Sequence, residues 1–201
     1  MKIFCIGRNY LAHIEELANE KPDQPLIFMK PSTALLREGK PFYIPDFSSE
    51  IHFECEWVLR VRKHGKAIDP QFALDYIDKM TLGIDFTARD IQTRAKEKSH
   101  PWELAKAFDY SAAIGDWISF DPAFDYHEFT LYKNGQIAQR GDTRHMMFSL
   151  TEIITFISRY FTLQKGDLIF TGTPAGVGPV KTGDQLEGHF NGQKVLTCRI
   201  K

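Results

Sequence analysis

The chain carries the run Phe53-Glu54-Cys55-Glu56-Trp57-Val58-Leu59-Arg60-Val61, in which apolar and charged residues largely alternate, as in a β-strand. Successive side chains of a strand point to opposite faces, so Phe53 and every second residue after it share an apolar face. Glu54 and Glu56 then lie side by side on the other face, where their like charges repel unless something positive separates them. A hard divalent cation would resolve this conflict, because such cations prefer oxygen ligands.

A third acid, Asp85, lies in the strand-like run Thr81-Leu82-Gly83-Ile84-Asp85-Phe86. An unpaired charge is costly among apolar neighbours, so Asp85 strengthens the hypothesis of a metal site. A ligand set made only of oxygen atoms favours Mg²⁺, Mn²⁺ or Ca²⁺ over zinc. The alternative is a solvated strand face without metal, since Arg60 and Arg62 continue the face that carries the two glutamates.

Length and composition predict one globular domain over residues 1–201. Hydrophobic residues make up 43% of the chain and charged residues 25%, with a formal net charge of -1. Mixed signs of charge argue against a nucleic-acid-binding protein, which usually carries a basic stripe. No apolar run has the length of a membrane span or the form of a signal peptide, so we expect no membrane partner.

The three cysteines, Cys5, Cys55 and Cys198, are widely separated and show no zinc-ligand spacing. We predict that they are free thiols, which fits a location in the reducing cytoplasm. A catalytic cysteine is the less favoured alternative, because Cys55 falls on the apolar face of its predicted strand.

Start signals for short helices occur at three places: Asp69-Pro70, Thr87 to Asp90, and Ser149 to Glu152. The first combines an N-cap with proline at the first helical position, and apolar residues at helical spacing continue it to Met80. The third has the residues of a capping box, in which Ser and Glu satisfy each other's backbone donors. We therefore predict a helix after each signal.

Strands outnumber these helices. Asn134-Gly135 and Asn191-Gly192 each separate two strand-like runs, which predicts two β-hairpins. Five prolines make the section 21–46 loop-rich. The alternation of strands and helices typical of a doubly wound sheet is missing, so we predict an α+β fold, β-rich and mainly antiparallel.

Three further groups have chemical potential. His13 and Glu16 meet on one face if their segment is helical, which suits a general base, although surface helices often carry such pairs. Lys106 lies between alanines and either reaches an anionic ligand or covers apolar surface with its stem. The glycine-rich run 171–179 is not a P-loop. It either offers backbone amides and the Thr173 hydroxyl to a carboxylate or is a plain turn.

Taken together, these segments resemble the fumarylacetoacetate hydrolase superfamily over nearly the whole chain. The resemblance is carried by Gly7-Arg8-Asn9-Tyr10, Phe28-Met29-Lys30-Pro31-Ser32, Ile51-His52-Phe53-Glu54-Cys55-Glu56, Gly83-Ile84-Asp85-Phe86-Thr87-Ala88-Arg89-Asp90 and Thr171-Gly172-Thr173-Pro174-Ala175-Gly176-Val177-Gly178. The compact length is similar to the branch of acylpyruvate hydrolases and oxaloacetate decarboxylases or tautomerases. One departure is Ser99-His100-Pro101-Trp102, which stands where relatives commonly have Gly-Leu-Pro-Trp.

The resemblance implies a β-rich roll with short helices, a homodimer, and Mg²⁺ or Mn²⁺ as the usual metal. It also implies a role for individual residues. The implied metal ligands are Glu54, Glu56 and Asp85; the implied catalytic residues are His13, Glu16 and Lys106; the implied substrate-binding residues are Arg8, Arg89, Gln92 and Thr173.

We therefore expect a metal-dependent enzyme acting on C–C bonds of a small 2-oxo or β-diketo acid through a metal-stabilised enolate. Acylpyruvate hydrolysis and oxaloacetate decarboxylation both fit this expectation. One alternative is an isomerase or tautomerase of oxaloacetate or of 2-hydroxy-dienoic diacids in aromatic catabolism. A second alternative is a non-catalytic binding module whose carboxylates hold a structural cation.

Overall fold

The computed structural model describes residues 1–16, 20–37, 39–123 and 126–201 of the chain. Its strands are β1 (Ile3–Gly7), β2 (Leu26–Lys30), β3 (Leu35–Leu36), β4 (Ile51–Phe53), β5 (Cys55–Val61), β6 (Ile77–Asp85), β7 (Thr87–Ala88), β8 (Ala112–Ile114), β9 (Ile118–Ser119), β10 (Glu128–Lys133), β11 (Gln136–Asp142), β12 (Leu168–Phe170), β13 (Gly178–Pro179), β14 (Gln185–Phe190) and β15 (Gln193–Arg199). Its α-helices are α1 (Leu11–Glu16), α2 (Arg89–Glu97), α3 (Glu103–Lys106) and α4 (Leu150–Tyr160). Short 3₁₀ helices span Ser32–Ala34, Pro70–Tyr76 and Thr143–His145. The predicted β-rich α+β class is confirmed.

The largest sheet has the strand order β2-β1-β12-β5-β6-β8-β3, and β9 pairs with the other end of β6. Its pairs are mainly antiparallel, while β1 with β12 and β3 with β8 are parallel. A four-stranded sheet, β11-β10-β14-β15, packs its last two strands against β6. A third, small sheet of β13, β4 and β7 adjoins the ends of β5 and β6. No helix in the described ranges is long and apolar enough to cross a membrane.

The glutamate-bearing run lies in the middle of the large sheet. Phe53 ends β4 and Cys55 begins β5, which is covered on both faces. Glu54 and Glu56 are accordingly only 5% and 2% exposed, so the alternative of a solvated face is wrong for them. It holds only farther along the strand, where the partly exposed Arg60 pairs with Asp78 at 2.7 Å.

One prediction about local structure is wrong. The helix after Asp69-Pro70 ends at Tyr76 and does not continue to Met80, because from Ile77 onward the backbone pairs with β5 as strand β6. The Asp69 cap itself is confirmed, since its carboxylate accepts a hydrogen bond from the backbone N–H of Gln71. The section 21–46 is loop-rich as predicted, and between Pro25 and Pro31 it also holds β2, which pairs with β1.

The remaining signals are confirmed with one qualification. Both asparagine-glycine pairs form hairpin turns, β10 to β11 and β14 to β15. The capping box of α4 is present, with Ser149 and Glu152 each satisfying the other's backbone donor. Helix α2 begins at Arg89 as expected, but the Thr87 side chain does not cap it. Its hydroxyl instead accepts a hydrogen bond from Lys106 Nζ at 2.6 Å.

Candidate active site

The three predicted metal ligands meet where β5 and β6 pair. Glu56 lies opposite Gly83 in the ladder, and the Asp85 N–H donates to the Glu54 carbonyl at 2.8 Å just beyond it. One ligand atom from each acid lies within 4.8 Å of the other two. Two central strands therefore bring together carboxylates that are about 30 residues apart in sequence, at a distance suited to a shared ion.

The electrostatics of the three acids are unequal. Burial by itself would raise the pKa of Glu54, but the charges of Lys106 and Arg89 outweigh it and hold that pKa well below its usual range. Burial raises the pKa of Glu56 well above its usual range, and the charges of Asp85 and Glu54 raise it further. A divalent cation fits this cluster, because it would add positive charge beside Glu56 and accept an all-oxygen ligand set.

Lys106 is tied directly to two of the acids. Its Nζ donates to Glu54 Oε2 at 2.7 Å and to Asp85 Oδ2 at 2.8 Å. Only 3% of the residue is exposed, so the alternative of a surface lysine is wrong. Burial alone would lower the pKa of Lys106, but Asp85 and Glu54 raise it above its ordinary value, which keeps the ammonium group charged.

The sequence analysis missed a second buried lysine, Lys30, at the end of β2. Its Nζ lies 2.7 Å from Asp85 Oδ1 and donates to the Ser111 hydroxyl at 2.9 Å and to the Lys106 carbonyl. The available signal was a lysine that closes an apolar strand run within a segment shared with the family. Asp85 is thus held between two ammonium groups, which fixes the orientation of its carboxylate.

Helix α2 contributes a second group of polar residues. Arg89 donates to Glu54 Oε1 at 2.5 Å and to Gln92 Oε1 at 2.6 Å. Gln92 is buried, and Lys96 is half-buried one turn farther along the helix. The spacing of three and four residues places all three side chains on one face of α2.

Helix α1 carries the His13–Glu16 pair. His13 Nδ1 lies 3.1 Å from Glu16 Oε2, and the imidazole is buried. Glu16 Oε1 accepts a hydrogen bond from the Gly176 N–H at 3.0 Å. The alternative of a chance pair on a surface helix is wrong for His13, because a buried histidine oriented by an anchored carboxylate is a preorganised group.

The glycine-rich loop after β12 binds carboxylates, but those of the protein itself. The Gly172 N–H donates to Glu56 Oε2 at 2.7 Å, and the Gly176 N–H holds Glu16. The Thr173 hydroxyl donates to the Cys55 carbonyl at 2.8 Å. Gly172 has a φ of 100°, a conformation that favours glycine, and a Cβ there would press on Asn9. The loop therefore orients Glu56 of the acidic triad Glu54, Glu56 and Asp85. It also orients Glu16 of the His13–Glu16 dyad.

One cavity unites these groups. It is lined by nine of the ten predicted site residues, Arg8, His13, Glu54, Glu56, Asp85, Arg89, Gln92, Lys106 and Thr173. Glu16 does not line the cavity and reaches it through His13. Phe28, Lys96 and Trp102 also line it and were not predicted. The structure shows that these residues lie together. Their roles in binding and catalysis stay predictions.

The three cysteines are buried free thiols. Cys5, Cys55 and Cys198 are unpaired and buried, as predicted. Burial raises the pKa of Cys198 to about 11 and raises those of the other two thiols as well. Since the thiolate is the reactive form, burial disfavours a nucleophilic role for these three thiols.

The amino-acid sequence of this chain is similar to a known protein family and to several named proteins. A family model described as Fumarylacetoacetate (FAA) hydrolase C-terminal matches residues 2–201. Oxaloacetate tautomerase FAHD1 of Bos taurus is 39% identical over 201 residues, which cover 99% of this chain and 90% of that protein. The mitochondrial oxaloacetate decarboxylase of Dictyostelium discoideum is 43% identical over 194 residues, covering 95% and 89%.

The fold of this chain is also similar to that of a solved structure. The crystal structure of fumarylpyruvate hydrolase from Pseudomonas aeruginosa in complex with Mn²⁺ and pyruvate matches with a TM-score of 0.93 at 34% identity. The match covers 100% of this chain and 89% of that chain. The expected β-rich roll is thereby confirmed.

Proposed function

The chain belongs to the fumarylacetoacetate hydrolase family, and from this we propose that it is a divalent-metal-dependent enzyme acting on C–C bonds of small 2-oxo or β-diketo acids. The proposed reaction is hydrolysis of an acylpyruvate or decarboxylation of oxaloacetate. The observation that carries the proposal is the buried cluster of Glu54, Glu56 and Asp85 beside Lys106 in one cavity. The relatives named as a hydrolase, a decarboxylase and a tautomerase support it.

The proposed cofactor is Mg²⁺ or Mn²⁺, with Ca²⁺ as a further candidate, held by Glu54, Glu56 and Asp85. A bound cation of this kind supplies Lewis-acid polarisation of the substrate's carboxylate and keto oxygens. The Mn²⁺ in the related fumarylpyruvate hydrolase structure supports a divalent ion of this class. Lys30 and the Gly172 N–H orient two of the ligands, which preorganises the site before a metal arrives.

Lys106 stabilises negative charge on the reacting molecule. As a C–C bond breaks or a proton leaves, charge develops on an oxygen as an enolate, and a fixed ammonium group nearby lowers the energy of that state. Burial strengthens this effect, because the surroundings of Lys106 exclude much of the water that would screen it. Gln92, Arg89, Arg8 and Thr173 line the same cavity and orient the substrate's polar groups.

The His13–Glu16 dyad supplies the step that separates hydrolysis from the other reactions. Glu16 orients the imidazole of His13, which then accepts a proton from a water attacking the distal carbonyl carbon. Decarboxylation forms the same enolate by loss of carbon dioxide, and keto–enol isomerisation forms it by transfer of a C–H proton to a base, so neither uses the attacking water. The tautomerase alternative therefore needs Lys106 and the triad but not the general base in this role.

A metal-supplemented activity screen tests the proposal. Oxaloacetate, an acylpyruvate and a 2-hydroxy-dienoic diacid are each incubated with the protein and Mg²⁺ or Mn²⁺, and products are followed by ¹H NMR. We expect turnover that EDTA removes and that Asp85→Ala abolishes. Full turnover in EDTA would contradict the proposal, and bound metal without turnover of any oxo acid would favour a non-catalytic binding module.

His13→Ala distinguishes the reaction types. We expect it to remove acylpyruvate hydrolysis far more than enolisation, because only hydrolysis uses the activated water. Glu15→Ala, an exposed neighbour on the same helix, is the matched control and should leave both activities unchanged. Equal loss of hydrolysis and enolisation in His13→Ala would assign His13 to binding.

We further propose that residues 1–201 act as one catalytic domain, that the protein is a cytoplasmic homodimer, and that its ligands are small acids. The unpaired buried thiols are compatible with a reducing compartment. Light scattering on the purified protein tests the dimer, and a mass of about one chain in solution would contradict it.

A further inference from the structure

A buried glutamine, Gln139, lies on the four-stranded sheet beside the glycine-rich loop that follows β12. Gln139 is 1% exposed, whereas Ile137 on the same strand is 47% exposed, which inverts the usual burial of these residue types. Gln139 lies opposite Leu131 and Ile137 lies opposite Tyr132, so Ala138 is an extra residue that forms a β-bulge. A bulge changes the direction of neighbouring side chains, and this one directs Gln139 inward.

The side-chain amide of Gln139 makes three hydrogen bonds inside the protein. Its Oε1 accepts from the Cys55 N–H at 2.9 Å, and its Nε2 donates to the Thr173 hydroxyl at 2.8 Å and to the Pro174 carbonyl at 2.9 Å. The Thr173 hydroxyl in turn donates to the Cys55 carbonyl at 2.8 Å. Only one orientation of the amide satisfies these groups, because Oε1 faces a donor and Nε2 faces two acceptors. Gln139 thereby joins β5 to the glycine-rich loop.

These hydrogen bonds lie along an edge of β5 that is no longer paired with β12. The Thr171 N–H still donates to the Trp57 carbonyl at 3.1 Å, but β12 itself ends one residue earlier. Backbone groups two residues apart on a strand point to the same neighbour, so the N–H and carbonyl of Cys55 face this edge as well. Gln139 and Thr173 therefore replace the partner that a strand would supply.

The backbone of Cys55 determines the direction of two proposed metal ligands. Cys55 stands between Glu54 and Glu56, whose side chains leave the strand toward the acidic triad. A fixed N–H and a fixed carbonyl at Cys55 therefore fix both neighbouring side chains. The Gly172 N–H, in the same loop as Thr173, donates to Glu56 Oε2 at 2.7 Å. The contacts of Gln139 thus support Glu56 from its own strand and from the loop.

The glycine-rich loop also packs against the bulge itself. A Cβ on Gly176 would overlap the Ala138 carbonyl oxygen and press on Cγ of Gln139, so glycine is required at this approach. The Gly176 N–H donates to the carboxylate of Glu16, which in turn orients His13. A displacement of the loop from Gln139 would therefore move the dyad as well as the triad.

We propose that Gln139 is a positioning residue of the active site, which holds the glycine-rich loop against β5 so that the acidic triad and the His13–Glu16 dyad keep one relative geometry. This inference rests on the proposed function and gives a role to a residue that does not line the cavity. Gln139 acts through Cys55, Thr173 and the loop amides. Removing a group that orients metal ligands typically weakens metal binding or activity by about ten- to a hundredfold.

Hydrogen exchange and metal titration test the role without turnover. Gln139→Met keeps the length of the side chain and removes its three hydrogen bonds. We expect the Cys55 N–H to exchange at least about tenfold faster by NMR. The Val61 N–H, which donates to the Asp167 carbonyl at the other end of β5, should be unchanged. Calorimetry should show Mn²⁺ binding weakened by about tenfold.

Matched variants separate hydrogen bonding from packing. Gln136→Met, at an exposed position of the same strand, is the control and should equal wild type in both measurements. Gln139→Glu should stay within about threefold of wild type, because a buried carboxyl group is protonated and keeps one donor and one acceptor. An equal loss in Gln139→Glu and Gln139→Met would overturn the role assigned to the hydrogen bonds. If Gln139→Met does not fold, Gln139→Asn replaces it, since the shorter amide cannot reach the same partners.

Steady-state kinetics at saturating Mn²⁺ separate this inference from the proposed function. In Gln139→Met, acylpyruvate hydrolysis should fall about tenfold, mainly through kcat, because the dyad is displaced from its productive geometry. A loss mainly in KM, an unchanged rate of Cys55 exchange or an unchanged Mn²⁺ affinity would overturn the positioning role while leaving the enzyme class intact. Wild-type protein inactive on every 2-oxo acid would instead contradict the proposed function, and exchange and affinity would still decide the role of Gln139.

Discussion

Glu56 is the acid of the triad with the least compensation from the protein. Asp85 lies between Lys30 and Lys106, and Glu54 pairs with Lys106 and Arg89. Within the described ranges Glu56 has the Gly172 N–H as its one hydrogen-bond partner, and its pKa is raised by burial and by the two other acids. The raised pKa shifts Glu56 toward its protonated form, so metal binding at this carboxylate is coupled to loss of a proton.

This asymmetry predicts the effect of Glu56→Gln. The amide has the shape of a protonated carboxyl group, so stability in EDTA should change by less than about 1 kcal/mol. Removing a ligand should weaken Mn²⁺ binding by at least about a hundredfold and abolish the stabilisation that Mn²⁺ gives. Thermal denaturation with EDTA and with Mn²⁺ measures both effects. Glu128→Gln, at an exposed position, is the control, and unchanged Mn²⁺ affinity in Glu56→Gln would exclude this residue as a ligand.

At the scale of elements, the end of α2 illustrates how a motif tolerates an unusual residue. The His100 N–H donates to the Ala95 carbonyl at 2.8 Å and the Ser99 N–H to the Lys96 carbonyl at 3.2 Å. These two bonds form a Schellman motif, whose left-handed position is usually glycine. Ser99 occupies it with a φ of 53° and so carries a Cβ where none is favoured.

Ser99→Gly should therefore stabilise the protein by about 1 kcal/mol, because the backbone strain of a non-glycine residue disappears. Urea denaturation measures the change. Ser99→Ala is the matched control, since it removes the hydroxyl but keeps the Cβ, and we expect no comparable gain. An equal gain in both variants would mean that the conformation of Ser99 is not the cause.

The capping box of α4 predicts that removing its serine lowers the stability of the protein. Ser149 Oγ accepts from the Glu152 N–H, and Glu152 Oε2 accepts from the Ser149 N–H at 2.7 Å. Ser149→Ala leaves helix donors without a side-chain acceptor and should lower the free energy of unfolding by about 1 kcal/mol. Ser149→Asp, which retains a capping oxygen, should restore most of it in the same denaturation experiment. A full loss in Ser149→Asp would argue against capping as the cause.

At the scale of the whole molecule, the large and four-stranded sheets meet around small and aromatic residues. A Cβ on Gly115 would overlap the carbonyl oxygen of Val195 in β15. His127 packs between Trp57 of the large sheet and Phe190 of the smaller one, with ring centres 5.1 and 5.0 Å away. The junction therefore depends on close backbone approach and on an uncharged imidazole.

Gly115→Ala should destabilise the protein by about 1–3 kcal/mol, because the backbone of β15 must move to admit the methyl group. Gly178→Ala is the control, since a Cβ there meets only the Phe53 ring at 3.4 Å, an ordinary contact. Chemical denaturation of both variants measures the difference. Equal effects would show that the two sheets adjust to each other more easily than the close approach of Gly115 to Val195 implies.

His127 predicts a pH dependence of stability. The residue is 2% exposed, and burial lowers the pKa of its imidazole. Its contribution is therefore fully present above the unfolded-state pKa of about 6.5 and is lost as the pH falls toward the lower folded-state pKa. Between about pH 7.5 and about pH 5 wild type should lose more stability than His127→Phe. Parallel pH profiles of the two proteins would contradict this assignment.

Local patterns were enough to predict several elements. The hairpins at Asn134-Gly135 and Asn191-Gly192 and the capping box of α4 depend on residues close in sequence, so their signals are local. The helix predicted up to Met80 failed for the opposite reason. Its apolar spacing fits a helix, but pairing with β5 outweighs that preference and makes the segment a strand.

The sequence predicted which residues form the candidate site. It did not predict the hydrogen bonds and ion pairs between them. Charged residues in apolar strands, and the motifs shared with a known family, identified the acids and Lys106. The motifs did not show that the loop amides of Gly172 and Gly176 hold the protein's own carboxylates, or that Lys30 holds Asp85. Those contacts join residues that are far apart in the chain.

The amino-acid sequence alone determined the family, the β-rich class and the acids that repel one another in a strand. Each of these depends on residue types and on their order over short stretches of the chain. Only the three-dimensional arrangement reveals which lysines and arginines lie beside which acids, such as Lys30 beside Asp85 and Arg89 beside Glu54. Charge pairing depends on distances of a few ångströms between distant segments, and strand pairing across the sheet sets those distances.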